Sequence, residues 1–256
     1  MSDKRERERR REERLREESQ VQSRDRRARL LQLGAGAVFL VIVAVVVLIV
    51  ISSSGSGSGG DTKLEQVGAV DSLLNGIPQR ELTVGDPKAP VELIEFGDLQ
   101  CPVCKAYSEE MLPPIIEGQV KQGQAKVTFR NFTIIGPQSV PAGAAALAAG
   151  EQGRGWNYLE LFYRNQGTEN SGYADDEFLT AVAEAAGVMD IAAWNKARAD
   201  AKLTGEVKKT TEEAQRLGFT GTPSFAIRGP KTKGMELLGT PETLGEFESA
   251  IEAAGG

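Results

Sequence analysis

Three patterns of apolar positions divide the chain. Residues 34–51, GAGAVFLVIVAVVVLIVI, are 18 residues without a charge. With Leu30, Leu31 and Leu33 ahead of them, the apolar stretch reaches about 20 residues. At ~1.5 Å rise per residue it spans a ~30 Å hydrocarbon core. A cleaved signal peptide has a shorter apolar region, roughly 7–15 residues, and a small-residue cleavage site, which does not follow here. The pattern predicts a single transmembrane helix over residues 30–51. Arg24, Arg26, Arg27 and Arg29 precede it, and no Lys or Arg follows until Lys63. The excess of positive charge then places the N-terminus in the cytoplasm and the chain after residue 51 outside.

The second pattern is short and strand-like. VELIEFG (91–97) is an apolar run that fits a buried strand, and KVTFRNF (126–132) alternates with β-forming residues. SFAIRG (224–229) and MELLG (235–239) read as a hairpin. The third pattern is helical. Cys104, Tyr107, Met111 and Leu112 share one helical face, and Pro113-Pro114 are expected to break or kink that helix. Residues 141–216 read as helical throughout, and Thr240-Pro241 as the cap and first turn of a last helix carrying Leu244, Phe247 and Ile251. The expected architecture is α/β: strand, helix, strand, a helical insertion at about 138–216, two strands and a helix, within a domain at 76–256.

Between membrane span and domain, SSSGSGSGG (52–60) is a flexible linker. Taken to residue 75 as coil, it reaches roughly 25–30 Å. Before the span, residues 1–29 form a charged cytoplasmic tail that includes KRERERRREERLREE (4–18), read as a solvated, partly disordered run despite an i,i+4 pair of Glu12 and Arg16. This tail holds 12 Lys/Arg against 8 Asp/Glu, about +4, so the rest carries about −10 of the chain total of −6. An acidic body argues against a nucleic-acid partner. The sequence has no histidine, which excludes Ser-His-Asp, Cys-His and histidine–zinc chemistry.

What remains is a pair of thiols. Cys101 and Cys104 are the only cysteines, separated by Pro102 and Val103. A crosslink across so small a ring stabilises little, because the gain grows with loop length. Zinc takes four Cys or His ligands, so two chains would have to share it. Redox chemistry suits the spacing and its context. VELIEF leads through GDLQ into a thiol at the start of a helix, with Pro102 in the first turn, where its missing N–H costs nothing. Free N–H groups and the helix dipole there favour an anion, so Cys101 is expected to ionise readily. Cys104, one turn in on the apolar side, is expected to be less accessible and to act second. Glu95 alternates with Ile94 and Phe96. If buried it would resist ionising and could exchange protons with Cys104; a solvent-facing glutamate is the equal alternative. Asp98 and Gln100 read as turn-shaping residues. Trp156, Tyr158, Phe162 and Tyr163 read as helical core rather than a binding box.

GDPKAPVELIEFGDLQCPVC resembles the membrane-proximal DsbA-like thiol–disulfide oxidoreductases, a branch of the thioredoxin superfamily. AALAAGEQGRGWNYLELFYRNQ (145–166) and FLTAVAEAAGVMDIAAWNKA (178–197) resemble that family's helical insertion. GFTGTPSFAIRG (218–229) resembles its cis-proline segment. The resemblance covers roughly residues 76–254. It implies a thioredoxin fold with a helical insertion, preceded here by the transmembrane helix. It implies Cys101 as nucleophile, Cys104 as resolving cysteine, Glu95 as the acidic residue beneath them and Pro223 as the cis-proline. Thr222, Pro223, Pro102 and Val103 would meet the substrate. No bound cofactor or metal is implied, because the disulfide itself carries two electrons. Implied partners are exported proteins with free thiols and a DsbB-like or VKOR-like membrane oxidase. One departure stands out: family oxidases carry C-P-H-C, and Val103 replaces that histidine. Its loss is expected to raise the Cys101 pKa and make the disulfide less oxidising. A reductase or isomerase of the same fold, or a non-catalytic client-binding module, therefore stays open beside an oxidase.

Overall fold

The structure is a computed structural model that describes residues 63–255. The charged tail, the apolar span and the Gly/Ser stretch lie outside the described residues. Among the described residues no helix is long and apolar enough to cross a membrane.

A short helix, α1 (Val67–Leu74), comes first. It falls inside the stretch expected to be coil. Val70, Leu73 and Leu74 bury one face of it, and that apolar spacing outweighs the polar composition around it. Two short strands follow, β1 (Gln79–Arg80) and β2 (Thr83–Val84), which the sequence pattern had not revealed. Strands of two residues carry no readable alternation.

The centre of the sheet is β3 (Val91–Gly97) beside β4 (Ala125–Asn131), paired in parallel from Val91 opposite Ala125 to Gly97 opposite Asn131. On the other side of β3 runs β5 (Ser224–Arg228), antiparallel, followed by β6 (Glu236–Gly239). The sheet order is β1-β2-β4-β3-β5-β6. Helices cover both faces of β3, so it reads as a continuous apolar run rather than an alternating one. Its alternation still sorts side chains: Ile94 and Phe96 pack with Phe132, Ala214 and Ala226, while Leu93 joins the main core.

Between β3 and β4 the chain is helical from 102 to 120. It begins as α2 (Pro102–Ala106), widens to a π-helical turn (Tyr107–Met111), tightens to α3 (Leu112–Ile115) and widens again (Ile116–Val120). Pro113 and Pro114 were expected to break or kink this helix; they do not break it, and its turn type changes on either side of them. The π turn ends with the Leu112 N–H on the Tyr107 carbonyl, and the prolines then occupy the first positions of a new α turn, where no N–H is needed.

The insertion comprises α4 (Ser139–Glu151), α5 (Gly155–Arg164), α6 (Asp176–Ala185), α7 (Ile191–Arg198) and α8 (Ala201–Arg216). Asp175, Asp190 and Asp200 cap the last three through their side chains. Alanine and glycine let α4 approach its neighbours closely. A β-carbon on Gly143 would lie 2.4 Å from the Asn131 amide oxygen. Trp156, Tyr158, Phe162 and Tyr163 are core, each at most 2 % exposed. The Trp156 indole N–H donates to the Leu82 carbonyl and that of Trp194 to the Ala145 carbonyl, so neither ring is buried with an unmet donor.

The last helix, α9, spans Leu244–Gly255 and not the turn at Thr240-Pro241. Those two residues are engaged elsewhere: the Thr240 hydroxyl donates to the Pro223 carbonyl, and the Pro241 carbonyl accepts from the Tyr107 hydroxyl.

Candidate active site

The end of β3 delivers the chain to the two thiols through a turn with almost every polar group used. One Asp98 carboxylate oxygen accepts from the Gln100 N–H at 2.9 Å; the other accepts from the N–H groups of Ile134 and Ile135 at 2.8 and 2.9 Å. Asp98 and Gln100 thus shape the turn, as their types suggest. The insertion grips the same turn from outside. Tyr163 donates to the Asp98 carbonyl, and the Gln166 amide donates to the carbonyls of Leu99 (2.7 Å) and Cys101 (3.2 Å). Nothing in the sequence marked Gln166: a polar residue at a helix end is ordinary, and its partners lie 65 and 67 residues away.

Cys101 occupies the N-cap of α2 in extended conformation, with Pro102 in the first turn. Its sulfur accepts the Cys104 N–H at 3.4 Å. Both thiols are free in this structure. The Cys101 thiol is lowered from the ordinary value to about 6. A hydrogen bond from Cys104 contributes most. Burial opposes it, and the Thr222 side chain and the backbone N–H groups of Cys104 and Val103 add to the lowering. No histidine is needed for this shift; helix-end amides and the second thiol produce it. Cys104 is pushed well above the ordinary value, by burial first and then by hydrogen bonding to Cys101 and the charges of Glu95 and Cys101.

Cys101 is less open than a thiol at a helix start was expected to be: it is 3 % exposed, against 0 % for Cys104. The cover is the segment before β5. The Cys101 sulfur lies 3.3 Å from the Thr222 carbonyl oxygen, and the Thr222-Pro223 bond is cis. Val103, Phe219, Thr220, Thr222 and Pro223 border a groove of about 330 Å³ along that covering segment. Val103, at 49 % exposure, is one of few large apolar side chains left in solvent. Pro102 is exposed beside it.

Glu95 is 1 % exposed, so the buried alternative is the one observed. Its register neighbours are Phe129 on β4 and Phe225 on β5. Between two aromatic residues, with one carboxyl oxygen lacking any partner, it is pushed up to about 8, mainly by burial and then by the charges of Glu160 and Cys101. Gly97 makes room for it: a β-carbon there would meet the Phe129 ring at 2.6 Å and the Glu95 carboxyl at 3.2 Å. Among the described residues no group of three or more Cys, Asp and Glu is arranged to hold a metal.

Fold and dithiol together define a class, the DsbA-like disulfide oxidoreductases. The relatives agree with it. The chain is 29 % identical over 150 residues to the probable disulfide bond formation protein D of Bacillus cereus, covering 57 % of this chain and 69 % of that one. In fold it is similar to oxidised BdbD from Bacillus subtilis (TM-score 0.60, 19 % identity, 69 % of this chain and 96 % of that one). It is likewise similar to alpha-DsbA1 from Wolbachia pipientis (TM-score 0.54, 23 % identity, 71 % and 92 %). Residues 78–253 match the family described as Thioredoxin, and the chain belongs to that family.

Proposed function

We propose that this disulfide oxidoreductase is an oxidase, tethered outside the cytoplasm, that introduces disulfide bonds into exported proteins. The carrying observation is the Cys101 sulfur at the N-cap of α2, 3.3 Å from the carbonyl of Thr222, a residue that lines the groove, in surroundings that lower its pKa. In the oxidised state a substrate thiolate attacks the Cys101 sulfur, and Cys104 leaves with the electron pair of the broken bond and takes up a proton. A second substrate thiolate attacks the mixed disulfide. Substrate leaves oxidised, and Cys101 leaves as the thiolate its surroundings favour. Thr222, Pro223 and Val103 border the groove the substrate would enter, with Pro102 exposed next to Val103, and the Thr222 backbone would align an extended peptide.

The tether rests on the apolar run at 30–51 and the arginines before it. An oxidising compartment suits a disulfide that must persist. A quinone-linked membrane oxidase of DsbB-like or VKOR-like type would take the two electrons onward. The test is refolding of a reduced, unfolded protein with the oxidised enzyme. Acceleration that disappears in Cys101→Ser supports the reading, and acceleration that survives it refutes it.

Val103 keeps a reductase or isomerase in view, because a neutral side chain there gives the thiolate no extra support. The reduction potential separates the readings: thioredoxin lies at about −270 mV and DsbA at about −120 mV. A client-binding module without turnover would hold clients equally well without either cysteine, and Cys104→Ser would trap none as mixed disulfides.

A further inference from the structure

Two consecutive residues of the loop between β6 and α9 reach to opposite halves of the site. Thr240 donates its hydroxyl at 2.8 Å to the Pro223 carbonyl, on the segment that covers the Cys101 sulfur. The Pro241 carbonyl accepts, at 2.7 Å, the hydroxyl of Tyr107, which lies three residues beyond Cys104 in the cysteine helix and 134 residues away in sequence. The loop is stiffened from both ends. On the α9 side the Glu242 N–H donates to the Glu246 carboxylate at 2.7 Å, and the Glu246 N–H donates to the Thr243 hydroxyl at 3.3 Å. On the β6 side Gly239 pairs with Phe225. Gly239 and Thr240 also line the groove beside Thr222. The cysteine helix and the Thr222-Pro223 segment are thus joined by a short strut that runs from Tyr107 through Pro241 and Thr240 to Pro223.

The Tyr107 ring does not need its hydroxyl to pack. It stacks on Phe225 at 5.6 Å and meets Phe247 edge-on at 6.3 Å, contacts that a phenyl ring would make equally. What the hydroxyl adds is one bond, to the residue next to Thr240. Burial, and then the charges of Glu242 and Glu246, raise its pKa above the ordinary value, so it remains a donor through neutral pH. We propose that Tyr107 is a positioning residue for disulfide exchange: through Pro241 and Thr240 it holds the Thr222-Pro223 segment in place against the cysteine helix. This rests on the exchange chemistry proposed above. A peptide aligned along the Thr222 backbone presents its thiolate to the Cys101 sulfur only if segment and helix keep their separation, and small misplacements of reacting groups cost rate steeply. A small thiol needs no such alignment to attack the same sulfur.

The test compares two reductants of the oxidised full-length protein, a cysteine-containing peptide and dithiothreitol. In Tyr107→Phe the rate constant for the peptide should fall about fivefold, the net effect of one hydrogen bond. The rate constant for dithiothreitol and the Cys101–Cys104 reduction potential should stay at the parent values. Thr240→Val should share this signature, and Thr240→Ser, which keeps the hydroxyl, should keep the parent rates. The double variant of Tyr107→Phe and Thr240→Val should lose no more than the larger single loss, because both bonds belong to one strut. Amide hydrogen exchange at Ser224 should quicken in Tyr107→Phe, although the Tyr107 hydroxyl bonds to Pro241 and not to that segment. A hydroxyl with a merely structural role would lower the unfolding midpoint and leave the ratio of peptide to dithiothreitol rates unchanged. That result, or losses that multiply in the double variant, overturns the proposal. Quickened exchange at Ser224 in the variant, with a parent protein that oxidises neither reagent, would sink the functional reading and not the strut.

Discussion

The Cys101 sulfur and the Thr222 carbonyl oxygen lie 3.3 Å apart across 121 residues of sequence. That contact joins the head of a helix to the segment before a strand, and it sets the thiol against a residue that lines the groove. The protonated thiol can donate to the carbonyl. Once ionised, it is held by the Cys104 N–H and the first-turn amides instead. Two states of one sulfur thus have different partners within the same pocket.

The Cys101 thiolate should appear through about pH 6. A folded-state pKa below the unfolded one stabilises the reduced fold fully above the ordinary thiol value, and that stabilisation is lost as pH falls through about 6. The reduction potential should accordingly fall by about 59 mV per pH unit below that point and about 30 mV above it. Alkylation kinetics followed by mass spectrometry should give the same midpoint for Cys101, while Cys104 stays unreactive across neutral pH. A midpoint near the ordinary thiol value contradicts this electrostatic account.

Glu95 works in the opposite sense. Its folded pKa is raised from 4.5 to about 8, so the unfolded chain ionises first and stability falls as pH rises between those values. Glu95→Gln cannot ionise in either state. It should be more stable than the parent at pH 7 by on the order of 3 kcal/mol, and equal to it near pH 4. Urea unfolding at both pH values checks this. Exchange in the variant should slow, because Cys104 loses its proton partner.

Much of this site could be read along the chain, for reasons specific to each part. Val91–Gly97 is buried on both faces, so its apolar run is unambiguous, and the two cysteines follow it directly. Pro223 was found through its sequence context. The burial of Glu160 was invisible because helix packing sets it: the Ser108 hydroxyl that donates to it is 52 residues away, and a glutamate four before an arginine reads as an ordinary surface pair. Pro113-Pro114 do not break the helix because they fall in the first positions of a new α turn, where no N–H is needed. Thr240-Pro241 has the look of a helix start, but its hydroxyl is used on Pro223.

Thr240→Val tests that use. It removes the 2.8 Å bond to the Pro223 carbonyl while keeping the volume. Stability should drop by about 1 kcal/mol. The rate of exchange with a protein substrate should fall several-fold, because the segment bordering the groove loses its brace. Alkylation of Cys101 by a small reagent should be unchanged. Loss of both rates together would mean that Thr240 supports the thiol itself.

Asp98→Ala removes the acceptor for three backbone N–H groups, those of Gln100, Ile134 and Ile135. Leaving buried donors unpaired costs roughly 1–3 kcal/mol each where solvent cannot reach them. A total loss of about 3 kcal/mol is expected in thermal or urea unfolding, with the turn before Cys101 loosened. Asp98→Asn, which keeps acceptor oxygen on one side only, should fall between the two. An unchanged midpoint for Asp98→Ala would show that the turn is held by Gln166 and Tyr163 alone.

Val103 offers the sharpest test of what sets the potential. At 49 % exposure it can be replaced without disturbing the core, and surface changes of this kind usually stay within about 0.5 kcal/mol. Val103→His places a titratable cation in the first turn, beside a sulfur that already prefers to be an anion. The added charge stabilises the thiolate and so the reduced form. If it lowers the Cys101 pKa by about one unit, the reduction potential at pH 5.5 should rise by about 15 mV, half of the ~30 mV that tenfold is worth in this two-electron couple, because the parent thiol is only partly ionised there. The rise should vanish above the histidine pKa, near pH 6.5, where the ring is neutral. Equilibration against glutathione at pH 5.5 and pH 8 measures both limits. A variant whose potential equals the parent's at the lower pH would show that the helix-end amides already hold the thiolate as firmly as this site allows, and that residue 103 does not tune it.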